Sequence, residues 1–159
     1  MKYIYIILTL LLMNLSSAQE TTTIYLIRHA EKADTSPDTE LSDAGKARAQ
    51  KWKAYFSDEN IAAIYSTPYK RTISTAEPLA AASKLSITPY SPSELDLKTI
   101  AEKLTGKSVL IVGHSNTIPK YINKQLGENK YPDIDESEFG YVYIVTIKGS
   151  EMSCKLEKL

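Results

Sequence analysis

From Thr22 onward the chain changes its apolar period repeatedly. Short β-branched and aromatic runs give way to longer stretches with apolar residues three and four positions apart. That alternation marks βα units built around a largely parallel sheet. Ile24 to Ile27 predicts the first strand, ending at Arg28-His29, and Glu31 to Glu40, rich in Pro, Asp, Ser and Thr, predicts a loop. Ser42 is placed to cap a helix whose Ala44, Ala47, Trp52, Tyr55 and Phe56 fall roughly on one face.

Ile61 to Tyr65 reads as the second strand, and Thr67-Pro68 as an N-cap followed by proline at the first helical position. The helix runs toward Lys84, with Pro78 as a kink or restart behind the capping-box pair Ser74 and Glu77. Leu85 to Tyr90 predicts a third strand, and Ser93 the opening of a helix through Ile100 and Leu104. Val109-Leu110-Ile111-Val112 is the unbroken apolar run of a central parallel strand covered on both faces, and it ends at Gly113-His114. A helix to Leu126 closed by Gly127, then Tyr141 to Lys148 and Met152 to Leu156 turned at Gly149-Ser150, complete the pattern. The expected fold is an α/β three-layer sandwich with a mostly parallel central sheet flanked by helices.

The first residues follow a different logic. Met1-Lys2, an apolar run from Tyr3 to Met13, and small residues at Ser16 and Ala18 are the parts of a cleavable secretory signal. Residues 1–18 are therefore expected to be removed for export to a periplasmic or extracellular site, leaving one domain over 19–159. The apolar run is well short of the ~20 residues that span a bilayer, and no later segment is long enough to cross a membrane.

Charge narrows the partners. With 19 Lys plus Arg against 19 Asp plus Glu, the chain has no general attraction for nucleic acid, which requires a basic stripe. A small phosphorylated molecule bound in a local cationic pocket is the expected partner. Cys154 is the single cysteine; it cannot form an internal disulfide and reads as a small apolar residue in a late strand.

Both histidines of the chain, His29 and His114, lie just past the carboxyl end of an apolar strand, the edge of an open α/β sheet where ligands bind. Arg28 adjoins the first histidine, and Arg71 lies one turn into the helix after the second strand. Guanidinium forks bind phosphate bidentately, and a helix N-terminus adds backbone donors. Side chains alternate along a strand, so Arg28 and His29 can share a pocket only if the chain leaves the sheet there. Two forks and two imidazoles on one edge suit a dianionic phosphoryl group. Gly106-Lys107-Ser108 lacks the spacing and the following helix of a phosphate loop, and no helical His spacing or carboxylate cluster supports a metal site. The acidic stretch Asp133 to Glu138 reads as a solvated connection, with rimming of the pocket as the alternative.

Ile27-Arg28-His29-Ala30-Glu31 resembles the Arg-His-Gly signature of the histidine phosphatase superfamily (the phosphoglycerate mutase-like fold), with Ala30 where glycine is usual. Leu41 to Ala49, Ser66 to Thr72 with Thr75-Ala76, and Val112 to Ser115 are similar to three further blocks of that family, in family order. The resemblance implies that His29 attacks phosphorus and forms a phosphohistidine, while Arg28, Arg71 and His114 hold the phosphoryl oxygens. It implies no metal and no cofactor. The expected function is a phosphatase acting on a phosphomonoester or phosphoramidate. The alternatives are a catalytically weak phospho-ligand-binding envelope protein and, as the weaker enzyme reading, a phosphomutase. The stretch that would supply the family's proton-donating glutamate, Ser91 to Asp96, matches poorly; Glu31 is the favoured donor, with Glu94 and Asp38 as further candidates.

Overall fold

The computed structural model describes residues 20–159, so the expected export segment lies outside the described residues. The elements follow as β1 (Thr21–Arg28), α1 (Asp43–Tyr55), β2 (Ile61–Ser66), α2 (Lys70–Ser83), β3 (Ile87–Pro89), α3 (Leu97–Lys103), β4 (Ser108–Gly113), α4 (Ile118–Leu126), β5 (Tyr141–Lys148) and β6 (Glu151–Lys158). They form one sheet in the order β3-β2-β4-β1-β5-β6. The β2/β3, β2/β4 and β1/β4 pairs are parallel, whereas β5 runs antiparallel to both β1 and β6. No helix among the described residues is long and apolar enough to cross a membrane.

The run Val109 to Val112 is buried throughout, as a strand covered on both faces requires. Ile24, Leu26, Val109 and Ile111 pack against Leu97 and Ile100 of α3 and Ile118 and Ile122 of α4. Tyr25, Ile27, Leu110 and Val112 pack against Trp52 and Phe56, from α1 and its C-cap, and Leu79 and Ala80 of α2. The result is the expected three-layer sandwich. Each large apolar side chain fully buried between the layers contributes roughly 1.5–3 kcal/mol.

Ser42 caps α1 as expected, its Oγ accepting from the Gly45 backbone N–H at 3.1 Å. A Cβ on Gly45 would lie 2.3 Å from the Glu31 carbonyl oxygen, so only glycine lets this helix sit directly on the loop that follows His29. Gly127 closes α4 with φ of 71°.

Three helix boundaries differ from expectation. Helix α2 begins at Lys70 behind Tyr69, not behind Thr67, because the Thr67 hydroxyl is engaged with Thr72 and His114 instead of a helix N–H. Pro78 lies inside an uninterrupted α2, so Ser74 and Glu77 restart nothing. Helix α3 is capped by Asp96, whose Oδ1 accepts from the Lys98 N–H at 3.0 Å, while Ser93 pairs with Ser91. The third strand is short, Ile87–Pro89.

Candidate active site

The parallel strands β1, β2 and β4 end side by side, and the residues just beyond them form one cleft. The chain leaves β1 as the first residues past it find new partners: the His29 N–H donates to the Gly113 carbonyl at 2.9 Å, and the Ala30 N–H to Thr75 Oγ1 at 2.9 Å. This exit turns His29 into an open cleft of about 480 Å³, which it shares with Lys32, Tyr69, Arg71, His114 and Glu136.

His29 is buried, and its Nδ1 lies 2.8 Å from the Ala30 carbonyl oxygen. A carbonyl only accepts, so Nδ1 carries the proton and Nε2 keeps its lone pair. Burial pushes the imidazole pKa down to about 3, with Arg28, His114 and Arg71 adding to the drop. The ring is therefore neutral at physiological pH, in the tautomer a nucleophile at Nε2 requires.

His114 is fixed in the opposite sense. Thr72 Oγ1 donates to the Thr67 and Tyr69 carbonyls at 2.8 Å each, so the 3.0 Å Thr67–Thr72 hydroxyl pair uses the Thr67 proton. Thr67 Oγ1 must then accept from His114 Nε2 at 3.0 Å. Nδ1 is left toward Arg71 Nη2, 3.5 Å away. Burial, followed by Arg71 and Arg28, lowers this imidazole to about 4. The two rings meet edge to face with centroids 5.5 Å apart.

The two arginines differ more than their sequence settings suggest. Arg71 donates from Nη1 to the Pro37 carbonyl at 2.8 Å and lies over the Tyr69 ring, 4.4 Å from its centroid. Its Nε–H, like that of Arg28, is buried without a protein acceptor; on the arginine that lines the cleft this is the kind of orphaned donor an oxyanion satisfies. Arg28 is 4% exposed and does not line the cleft. Its Nη1 donates to the carbonyls of Asp135, Glu136 and Glu138 at 2.9, 3.1 and 2.9 Å, and its Nη2 to Glu136 Oε2 at 2.7 Å. The structure thus brings His29, Arg71 and His114 together and sets Arg28 one contact behind them.

The candidate acids separate in the same way. Glu31, the donor favoured from sequence, does not line the cleft; it takes a bidentate ion pair from Arg48, with Nε at 2.9 Å from both oxygens and Nη2 at 2.6 Å from Oε1. Burial alone would raise its pKa, but the Arg48 fork outweighs that and holds it down. So turned to Arg48 and away from the cleft, it is not placed to protonate a leaving group. Asp38 Oδ1 accepts the Lys70 N–H at 2.8 Å at the start of α2, and Glu94 lines a neighbouring depression with Tyr69 and Pro92. The carboxylate that does enter the cleft is Glu136, from the acidic loop before β5, which accepts from Ser115 Oγ through Oε1. The sequence reads that loop as a solvated connection, with rimming of the pocket as the alternative; with Glu136 lying 108 positions from its Arg28 partner, spacing alone gave no signal. Lys32 and Asn116 also reach the cleft without a prior signal. Among the described residues no three His, Cys, Asp or Glu side chains gather into a metal-binding group.

The chain has known relatives by fold. The family model described as the histidine phosphatase superfamily (branch 1) matches residues 24–91. No curated protein matches by sequence. Among solved structures, the protein histidine phosphatase SixA complexed with tungstate superposes with a TM-score of 0.69 at 15% identity, over 86% of this chain and 96% of its own. YhfR of Bacillus stearothermophilus gives 0.68 at 17% identity, over 86% and 96%. A mutant phosphoserine phosphatase from Entamoeba histolytica in complex with phosphoserine gives 0.66 at 17%, over 84% and 95%.

Proposed function

We propose that this chain, which carries the fold of the histidine phosphatase superfamily and its family match over residues 24–91, is a metal-independent phosphatase. It hydrolyses a phosphomonoester or phosphoramidate through a phosphohistidine on His29. The observation that carries the reading is the state of His29: Nδ1–H is committed to the Ala30 carbonyl, and a neutral Nε2 faces a cleft that also holds Arg71 and His114.

In the first half-reaction the Nε2 lone pair attacks phosphorus. The positive charge that develops on the ring is met by the Nδ1–H···O=C bond, already in place before the reaction begins. Arg71 and Lys32 supply positive charge for the phosphoryl oxygens, and positioning with charge stabilisation is most of what phosphoryl transfer asks of a protein. His114, neutral in the free cleft, gains a reason to take up a proton at Nδ1 once a dianion lies beside it, and then becomes a further donor. Arg28 acts from behind, adding its charge and anchoring the loop before β5. In the second half-reaction water displaces His29 and inorganic phosphate leaves. Export of the chain after removal of residues 1–18 is part of this proposal and sets its substrates outside the cytoplasm.

The test is turnover by the purified protein in the presence of a chelator, with 4-nitrophenyl phosphate and a phosphoramidate as substrates, beside His29→Ala. The expected result is phosphate release by the parent, an acid-labile phosphoenzyme after rapid quenching, and loss of both in the variant. Turnover that survives His29→Ala would overturn the mechanism. A parent that binds vanadate without turning over any substrate would make the protein a phospho-ligand binder.

A further inference from the structure

Glu136 takes no part in the bond changes at phosphorus, in transfer to His29 or in release as phosphate, yet both oxygens of its side chain are held in place at the cleft. Oε1 accepts from Ser115 Oγ, and Oε2 from Arg28 Nη2 at 2.7 Å. The Arg28 guanidinium is itself held by three carbonyls of the same loop and packed 4.3 Å from the Phe139 ring centroid. An exposed carboxylate, 68% accessible, is thereby fixed to a guanidinium that is 3% accessible. It lines the cleft with His29, Arg71 and His114, whereas Glu31, Asp38 and Glu94 do not.

We propose that Glu136 is the proton-transfer group of this cleft, an inference that rests on the phosphatase reading. In the first half-reaction the His29 Nε2–phosphorus bond forms and the phosphorus–oxygen bond to the leaving group breaks, its electron pair passing to the leaving oxygen. The Glu136 carboxylic acid gives its proton to that oxygen, and an alcohol departs. In the second half-reaction a water oxygen bonds to phosphorus, and the water proton passes to the Glu136 carboxylate. The phosphorus–nitrogen bond then breaks with its pair returning to Nε2. The acid form of Glu136 is restored and one water is consumed per phosphate released.

The surroundings of Glu136 supply the protonation change this cycle needs. In the free cleft the Ser115 hydrogen bond, with Arg28, Lys32 and His29 behind it, holds the carboxyl below the usual carboxylate range. The groups that face it are Arg28 from β1, His29 and Lys32 from the following loop, His114 and Ser115 beyond β4, and Arg71 from α2. A phosphoryl dianion entering among them puts like charge beside the carboxylate and draws on the same cations. Two anionic groups that share a site favour protonation of one of them.

The experiment pairs two leaving groups. Glu136→Gln, which keeps the size of the side chain, is compared with the parent by kcat/KM on glycerol 2-phosphate, whose alkoxide needs a proton, and on 4-nitrophenyl phosphate, whose phenolate does not. A general acid typically contributes about 10²–10⁴-fold, so a loss in that range is expected on the alkyl ester. The aryl ester should lose less than about tenfold, and the alkaline limb of the alkyl-ester pH profile should vanish. Equal losses on both esters, no loss on the alkyl ester, or a gain on either would overturn the assignment while leaving the phosphatase reading in place. A parent inactive on both esters and on a phosphoramidate would defeat the phosphatase reading itself.

Discussion

The cleft has two walls, each built on an arginine that the sequence places after a strand, and the two differ in how their Nη groups are engaged. On the α2 wall, Arg71 spends one hydrogen bond on a carbonyl, stacks on Tyr69 and keeps its Nε–H unmatched. On the wall formed by β1 and the loop before β5, the Arg28 Nε–H is likewise unmatched, but its two Nη groups give four hydrogen bonds, to the carbonyls of Asp135, Glu136 and Glu138 and to a carboxylate of that loop. A guanidinium whose Nη groups are so occupied ties segments of the chain together, and one that lines the cleft with fewer protein partners can meet a ligand. The same residue type, at similar places in two βα units, is thus tied into the fold on one side and turned to the cleft on the other.

Exchanging the walls' arginines sharpens this contrast most. Arg71→Ala is expected to lower kcat/KM by about 10³-fold or more, in the range that a charge-stabilising arginine supplies in phosphoryl transfer, with little change in the urea midpoint. Arg28→Met is expected to cost about 2–3 kcal/mol of stability, the scale of hydrogen bonds to a charged group lost from a buried position, as measured by urea unfolding. If Arg28→Met left stability untouched and Arg71→Ala reduced it, the comparison would be reversed.

A smaller effect separates the histidines from the carboxylates. His29 and His114 have folded pKa values of about 3 and about 4, below the ordinary 6.5. At pH above 6.5 both folded and unfolded chains hold them neutral and the folded state keeps its full stability. As pH falls below 6.5 the unfolded chain binds protons that the folded chain refuses, so stability declines toward the folded values. Over the first pH unit below 6.5 the loss should be about 1 kcal/mol for each histidine, before the low-pKa carboxylates contribute. Urea midpoints measured between pH 7 and 5.5 should fall in the parent and flatten in a His29→Gln, His114→Asn double variant. An equally steep parent and variant would place the titration elsewhere.

The smallest expected change concerns Glu31. Glu31→Gln removes charge from a half-buried bidentate pair with Arg48, for which a loss of about 1 kcal/mol is expected, and kcat/KM should stay within about twofold because the side chain lies outside the cleft. A loss of turnover approaching that of Glu136→Gln would return the proton-donor role to Glu31.

Much of this architecture was legible in the chain. The Val109–Val112 run announced the central strand, and the positions of His29, Arg71 and His114 after strands announced the cleft, because a hydrophobic period ends where the sheet edge begins. What spacing could not supply was the partner of each polar group. Thr67 beside Pro68 has the sequence of a helix cap, but its hydroxyl is taken by Thr72 and by His114, 47 residues away. Glu31 is two residues from His29 along the chain, but the loop that Gly45 packs against turns it to Arg48. Adjacency along the chain misled in both cases because tertiary partners decided where the side chain went.

The hydroxyl chain behind His114 carries one more consequence. It runs from Nε2–H through Thr67 Oγ1 to Thr72 Oγ1, both threonines fully buried, and stops at the backbone carbonyls of Thr67 and Tyr69. Carbonyl oxygens have no proton to pass on, so this wire is a dead end with no outlet to bulk water. Protons that reach His114 must come and go by its Nδ1 edge, through the cleft itself. The Nε2 proton should accordingly behave as a trapped one, giving a slowly exchanging imidazole N–H resonance that Thr67→Val sets free.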